Sequence, residues 1–393
     1  MFFFIFLSYQ IKFMKKHYLI GLALLAFTTF ILSCSKSDEE EYVQVSPVSV
    51  NLATVPYAKL SDYHFFDGDM KQQNPSLDVL PYEPASSLFT DYAHKKRFVW
   101  LPKNTKATYD GDGKVLNLPV GAALVKTFYY DNVQNVTPVG ATRIIETRIM
   151  IRKSSGWIFA DYVWNTEQTE AYLDLNGSNT SVDFKDENNI LHNVPSYRIP
   201  NEVQCIICHK SKQMVGNVEV DTYIPIGIKP QNLNFNFNYG TESKNQLTKW
   251  IEKGYLESGF SFPSAENTTI NYNDTSKPIE LRARSYVDVN CAHCHQVDRH
   301  CDYRPMRFAF SETGNMSNGL TNMGVCVDTQ DMQDFPPALS KIVKPGNVNR
   351  SMMYYRLNTT NENYRMPLHG RTVIHEEGVA LIEQWINSLQ PCP

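Results

Sequence analysis

Cys205-Ile206-Ile207-Cys208-His209 and Cys291-Ala292-His293-Cys294-His295 decide the reading of this chain. Each has the Cys-x-x-Cys-His form in which two thiols bond to the vinyl groups of a haem and the adjoining histidine sits under the iron. The spacing has a physical reason: one turn of backbone must bring both sulfurs to one porphyrin edge while the imidazole faces the metal. With 8 Cys and 10 His in 393 residues, chance supplies about 0.004 such matches, and the chain has two. A shared zinc site is the rival reading, but the two pairs stand much farther apart than the roughly 15–20 residues of a zinc ribbon. A thioredoxin-like dithiol needs a strand-helix context that neither motif shows. The motifs therefore predict two haem c groups, held through Cys205, Cys208, Cys291 and Cys294, with His209 and His295 as proximal ligands.

The N-terminus predicts export. Residues 1–33 read as a signal peptide whose true start is Met14: Lys15 and Lys16 form the basic region and Tyr18 to Ile31 the apolar one. The run is shorter than the roughly 18 residues of a membrane span. Ile31-Leu32-Ser33-Cys34 resembles a lipobox, which makes Cys34 the lipidated mature N-terminus. Residues 34–51, opening Ser35-Lys36-Ser37-Asp38-Glu39-Glu40-Glu41, then read as an acidic tether that does not fold alone. The acidic residues after Cys34 resemble the surface-export signal of lipoproteins in the Bacteroidota, so the expected place is the cell envelope: an outer-membrane lipoprotein facing the periplasm or the cell surface. In that oxidising setting Cys301, Cys326 and Cys392 are left over, an odd number that predicts one disulfide, Cys326 with Cys301 or Cys392.

Removing the segment before Cys34 takes three lysines from a formal net charge of −4 and leaves −7. That balance excludes nucleic acid as a partner, which needs a basic face. From residue 52 to 200 the chain reads as an antiparallel β-rich domain. Phe98 to Pro102, Ala122 to Tyr130, Thr142 to Lys153 and Gly156 to Trp164 are rich in β-branched and aromatic residues, and turn chemistry such as Tyr109-Asp110-Gly111-Asp112-Gly113 separates such runs. Downstream, Thr241 to Ile251 reads as a capped amphipathic helix stopped at Gly254, and His375 to Leu389 as a second, with Val379, Ile382, Trp385, Ile386 and Leu389 on one face. The expected fold class is multidomain: a β-rich domain, then two mainly α cytochrome-c-like haem segments at 201–278 and 279–393.

Three further strings, Tyr286 to His295, Pro345-Gly-Asn-Val-Asn-Arg-Ser-Met-Met-Tyr-Tyr-Arg356 and Arg365-Met-Pro-Leu-His-Gly370, resemble an exported dihaem c-type cytochrome family. So do Leu88 to Ala93, Gly121 to Tyr130 and Trp164 to Ala171 in the β-rich part. The resemblance covers nearly the whole mature chain and implies one-electron transfer between redox partner proteins, with the membrane reached only through the lipid.

Each iron has a second axial side. For the second haem Met366 is the candidate, because it precedes Pro367 on a loop between motif and terminal helix; Met352, Met353, His369 and His375 are its rivals. Between the two motifs the only methionine is Met214 and there is no histidine. The first haem therefore takes Met214, borrows a histidine from the β-rich part, or stays open; in the last case His94 or His192 is a candidate distal acid or base for peroxidase chemistry. The leading reading is an electron carrier rather than a catalyst. The alternatives are a peroxidase-like haem oxidoreductase with an open first haem, and a ligand-binding β module fused to a cytochrome.

Overall fold

Strands form where β-branched and aromatic residues alternate with polar ones. In the computed structural model, which describes residues 44–314 and 318–392, eight strands make one antiparallel sheet. They are β1 (Leu80–Pro81), β2 (His94–Trp100), β3 (Ala123–Val133), β4 (Ala141–Lys153), β5 (Gly156–Trp164), β6 (Ala171–Leu173), β7 (Ser178–Lys185) and β8 (Leu191–Ile199). The long β3 is the hub. One of its edges carries β4, then β5 and β6; the other carries β2 with β1, and at its far end Val133 meets Phe184 of β7. The expected signal peptide (1–33), Cys34 and the first part of the tether lie outside the described residues.

Both faces of the sheet are covered, as its composition requires. Phe98, Val125, Ile149 and Ala160 lie on one face and pack with Leu60, Tyr63 and Phe65 of the preceding segment. Val99, Leu124 and Trp157 lie on the other and pack with Ile228, Leu233, Leu247 and Trp250, which follow the first Cys-x-x-Cys-His motif. Gln246 fastens this layer: its amide accepts from Glu83 N and donates to Glu83 O, both at 2.8 Å, across two segments far apart in sequence.

The expectation of two mainly α cytochrome-c-like segments is corrected. Among the described residues strand takes up 27% and helix only 20%, in seven helices, none of which builds a recognisable cytochrome-c helical haem segment; the β-rich part agrees with the reading. The chain from Ser46 to Pro393 forms one compact unit. Local chemistry explains the shortfall. The first motif lies on α1 (Glu202–His209), but the residues after it alternate and pair as the hairpin β9 (Lys210–Val215) and β10 (Val218–Tyr223). The helix expected from Thr241 starts only at Gln246 (α2, Gln246–Glu252). Ser243–Asn245 is paired as a strand, and the Asn245 side chain caps Leu247 N and Thr248 N at 3.0 and 3.3 Å.

The second motif follows α3 (Ile279–Asn290), which packs against the terminal helix α4 (Glu376–Ser388). That helix buries Val379, Ile382, Trp385 and Ile386, the face its periodicity predicts. Cys326 is bonded to Cys392, with Cα atoms 5.8 Å apart; Cys301 is free and buried. Among the described residues no helix is long and apolar enough to cross a membrane.

A buried ion pair, Lys229 with Asp288, joins the layer on the sheet to α3. Both residues are almost wholly buried, and Asp288 Oδ1 also accepts from Phe310 N at 2.9 Å. Asp288→Asn keeps an acceptor for Phe310 but leaves the Lys229 ammonium without its counter-charge. Urea unfolding should show a loss of about 3–5 kcal/mol; a loss below about 1 kcal/mol would mean that Lys229 finds other compensation.

Candidate functional site

The first motif owes its geometry to a helix start. Asn201 caps α1 through a reciprocal pair: its side chain accepts from Gln204 N at 3.0 Å while Gln204 Oε1 accepts from Asn201 N at 3.2 Å. Helical spacing then puts Cys205, Cys208 and His209 on neighbouring positions of one face. His209 Nδ1 donates to the Ile224 carbonyl, 2.7 Å away. A carbonyl can only accept, so the proton sits on Nδ1 and the Nε2 lone pair is left free. Burial lowers the imidazole to about 4, which keeps it neutral at physiological pH.

The second motif is a tight turn at the end of α3: Cys294 N and His295 N both donate to the Cys291 carbonyl at 3.1 Å. His295 packs edge-on against Phe308, and burial lowers it to about 3. Burial also pushes the Cys205 and Cys291 thiols up to about 12, so both stay protonated.

Each motif lines its own cavity. One of about 360 Å³ is bounded by Cys291, Cys294 and His295. Another of about 200 Å³ is bounded by Cys205, Cys208 and His209. Cys208, His293, Pro367 and His369 line both. The motifs meet there: one ligand atom from each of Cys208, His293 and Cys294 lies within 4.8 Å of the others. In this contact Cys208 is pulled well below the usual thiol range by its hydrogen bond with Cys294, and Cys294 is raised in response.

The residues fit a thioether-bound haem at each motif. A protonated first cysteine, a second cysteine and a neutral histidine face one cavity in both cases, and at the first motif the histidine tautomer leaves its Nε2 free for iron. They fit zinc less well, because Cys205 and Cys291 stand apart from the Cys208–His293–Cys294 group, which leaves only three ligand atoms together.

The other sequence candidates are sorted by position. Met366 lines the larger cavity with His295, as do Met352, Met353 and His369. Met214 sits on β9, 65% exposed, and lines neither cavity. His94 is exposed at the start of β2. His192 bonds Asp186 at 2.9 Å and stacks on Phe184. Neither lines the first-motif cavity, and His375 is buried against Phe89 and Tyr286 instead.

Sequence order hid what the sheet contributes. Met150 of β4 lines the first-motif cavity, as do Arg97, Lys126, Arg148 and Asp161 from four adjacent strands. The signal was present only in part: these charged residues share a phase of the strand alternation with Val99, Leu124 and Trp157, which are core.

Asp161 is 94% buried, by its 6% exposure, and neither carboxylate oxygen has a hydrogen-bond partner among the described residues. Burial, then the charge of Glu146, raises it well above the usual carboxylate range, against the pull of Arg148. A carboxyl raised by folding opposes the fold as pH climbs from its unfolded value, about 3.9, towards its folded value. Asp161→Asn removes that penalty. Its stability relative to the wild type should therefore rise between pH 4 and pH 8 in urea unfolding; a pH-independent difference would refute the assignment.

No protein family, curated protein or solved structure matches the chain.

Proposed function

We propose that this chain is an exported, lipid-anchored protein that binds two haems covalently, through Cys205, Cys208 and His209 and through Cys291, Cys294 and His295, and relays single electrons between redox partner proteins. One observation carries the reading: two Cys-x-x-Cys-His motifs, each lining its own cavity, converge through Cys208, His293 and Cys294 within 4.8 Å. Such convergence suits a relay, because it leaves little protein between the two sites.

When bound, a haem supplies an iron that cycles between two oxidation states. The chain's own residues do the rest. The Ile224 carbonyl orients His209 and fixes its tautomer. Phe308 packs edge-on against His295. Met366 is the proposed distal donor at the second motif; at the first, Met150 and His369 stand in the lining where Met214 does not. A haem oxidoreductase is the second reading. It is favoured by the buried Asp161 carboxyl in the first cavity, which lies 3.6 Å from Arg148 Nε, has no hydrogen bond among the described residues and is able to hand over a proton.

Intact-mass analysis and the pyridine haemochrome spectrum of the chain exported with c-type maturation should show two haems. Cys205→Ser and Cys291→Ser should each weaken attachment at one site only. One zinc and no haem per chain would overturn the proposal in favour of the Cys208–His293–Cys294 group. If two haems are present, carbon monoxide separates the readings: no spectral change fits the relay, and binding at the first site fits the oxidoreductase.

A further inference from the structure

The face of the sheet turned to the first-motif cavity carries a row of charge across four strands. Arg97 of β2 is paired in register with Lys126 of β3, Lys126 with Arg148 of β4, and Arg148 with Asp161 of β5. All four line the cavity. The row to one side is apolar, with Val99, Leu124, Met150 and Phe159; the row to the other is mixed, with Lys95, Phe128, Glu146 and Val163.

The charges in this row do not cancel. Arg148 is taken by Glu146, with Nε donating to Oε2 at 3.0 Å and Nη2 to Oε1 at 2.5 Å. Tyr197 donates to the same carboxylate at 2.6 Å, so Glu146 is saturated. Asp161 holds its proton and offers little charge. Arg97, 7% exposed, has a single long contact, 3.4 Å to Ser87, and the nearest carboxylate acting on it is the exposed Glu83. Lys126 has no hydrogen bond or ion pair among the described residues; its ammonium lies 4.6 Å from the Phe128 ring centre. Lys95, in the neighbouring row, feels Asp91 and Glu83 only at a distance, as charges that partly offset its burial.

Held as cations, two adjacent basic groups beside an apolar cavity cost several kcal/mol unless an anion joins them, and burial, then the charges of Arg97, Arg148 and Lys95, accordingly lowers Lys126 well below the usual lysine range. Like charges directly opposite on paired strands repel as well. A fold that only needed stability has no use for this arrangement, and a bound anion removes both penalties at once. Arg supplies a planar fork and Lys a point charge, the pairing suited to a carboxylate-type oxyanion.

We propose that Arg97 and Lys126 form an anion site in the first-motif cavity that takes a carboxylate-class oxyanion, supplied either by the propionates of the attached haem or by a small free anion. The propionate source rests on the haem reading above; the free-anion source does not.

The test uses the full mature chain and the variants Lys126→Gln and Arg97→Gln, with the exposed Lys114→Gln as control. Sodium formate is the free-anion probe, followed by calorimetry and by melting temperature, and spectroelectrochemical titration follows the haems. If propionates are the source, formate leaves the wild type unchanged, and each variant lowers the midpoint potential of one haem and flattens its pH dependence, while the other haem and the control stay put. If a free anion is the source, formate binds the wild type and raises its melting temperature, and each variant weakens that binding at least about tenfold, the usual reach of one charged hydrogen bond. Variants that fold with two haems, keep both potentials and show no difference in formate binding overturn the proposal. A chain that carries no haem overturns the haem reading; formate binding that depends on Lys126 then still upholds the anion site, and its absence overturns that too. Should Lys126→Gln fail to fold, Lys126→Arg keeps the charge and must restore both folding and the wild-type response.

Discussion

The buried ion pair between Lys229 and Asp288 ties the segment that follows the first motif to the helix that precedes the second. Lys229 follows Ile228, one of the residues that seat that segment on the sheet; Asp288 lies one helical turn before Cys291. Burial makes the pair demanding as well as strong, since neither partner can be left alone in a low dielectric. Its worth therefore lies in fixing one arrangement of the two segments as much as in net stability.

A second constraint is the sheet itself. A protein that packed both faces with apolar side chains would have a simpler core. Here one row of one face is given over to charge, and the cavity beside the first motif is left where that row emerges. The apolar row through Val99, Leu124, Met150 and Phe159 keeps the strands in register on one side of the charged row, while the row on the other side mixes Phe128 and Val163 with Lys95 and Glu146.

Much of this was legible in the sequence. The Cys-x-x-Cys-His spacing pointed to two stretches that each line a cavity, the alternation from Phe98 to Trp164 located the sheet, and the 3.6-residue period from Val379 to Ile386 located the terminal helix. What the sequence concealed is long-range. That Cys208 meets His293 and Cys294 follows from tertiary packing, for which neither motif carries a local sign. The distal candidate for the first site was sought between the motifs because chain order suggested it, and Met214 was found; the sheet instead presents Met150, which precedes the motif. The expectation of helical haem segments failed for a related reason. Two amphipathic stretches do become helices, but proline, glycine and asparagine between them favour turns, short strands and irregular chain.

The Cys326–Cys392 bond has a topological consequence. It closes the chain from 326 to 392 into a ring holding Met352, Met353, Met366, His369 and the terminal helix. Within that ring Asn361, Glu362 and Asn363 form an exposed run, the sort of place an extracellular protease cuts. A single cut there leaves both pieces on one covalent molecule, each still anchored in the same core. For a protein read as living outside the cytoplasm, the crosslink turns a severed loop into a tolerated scar.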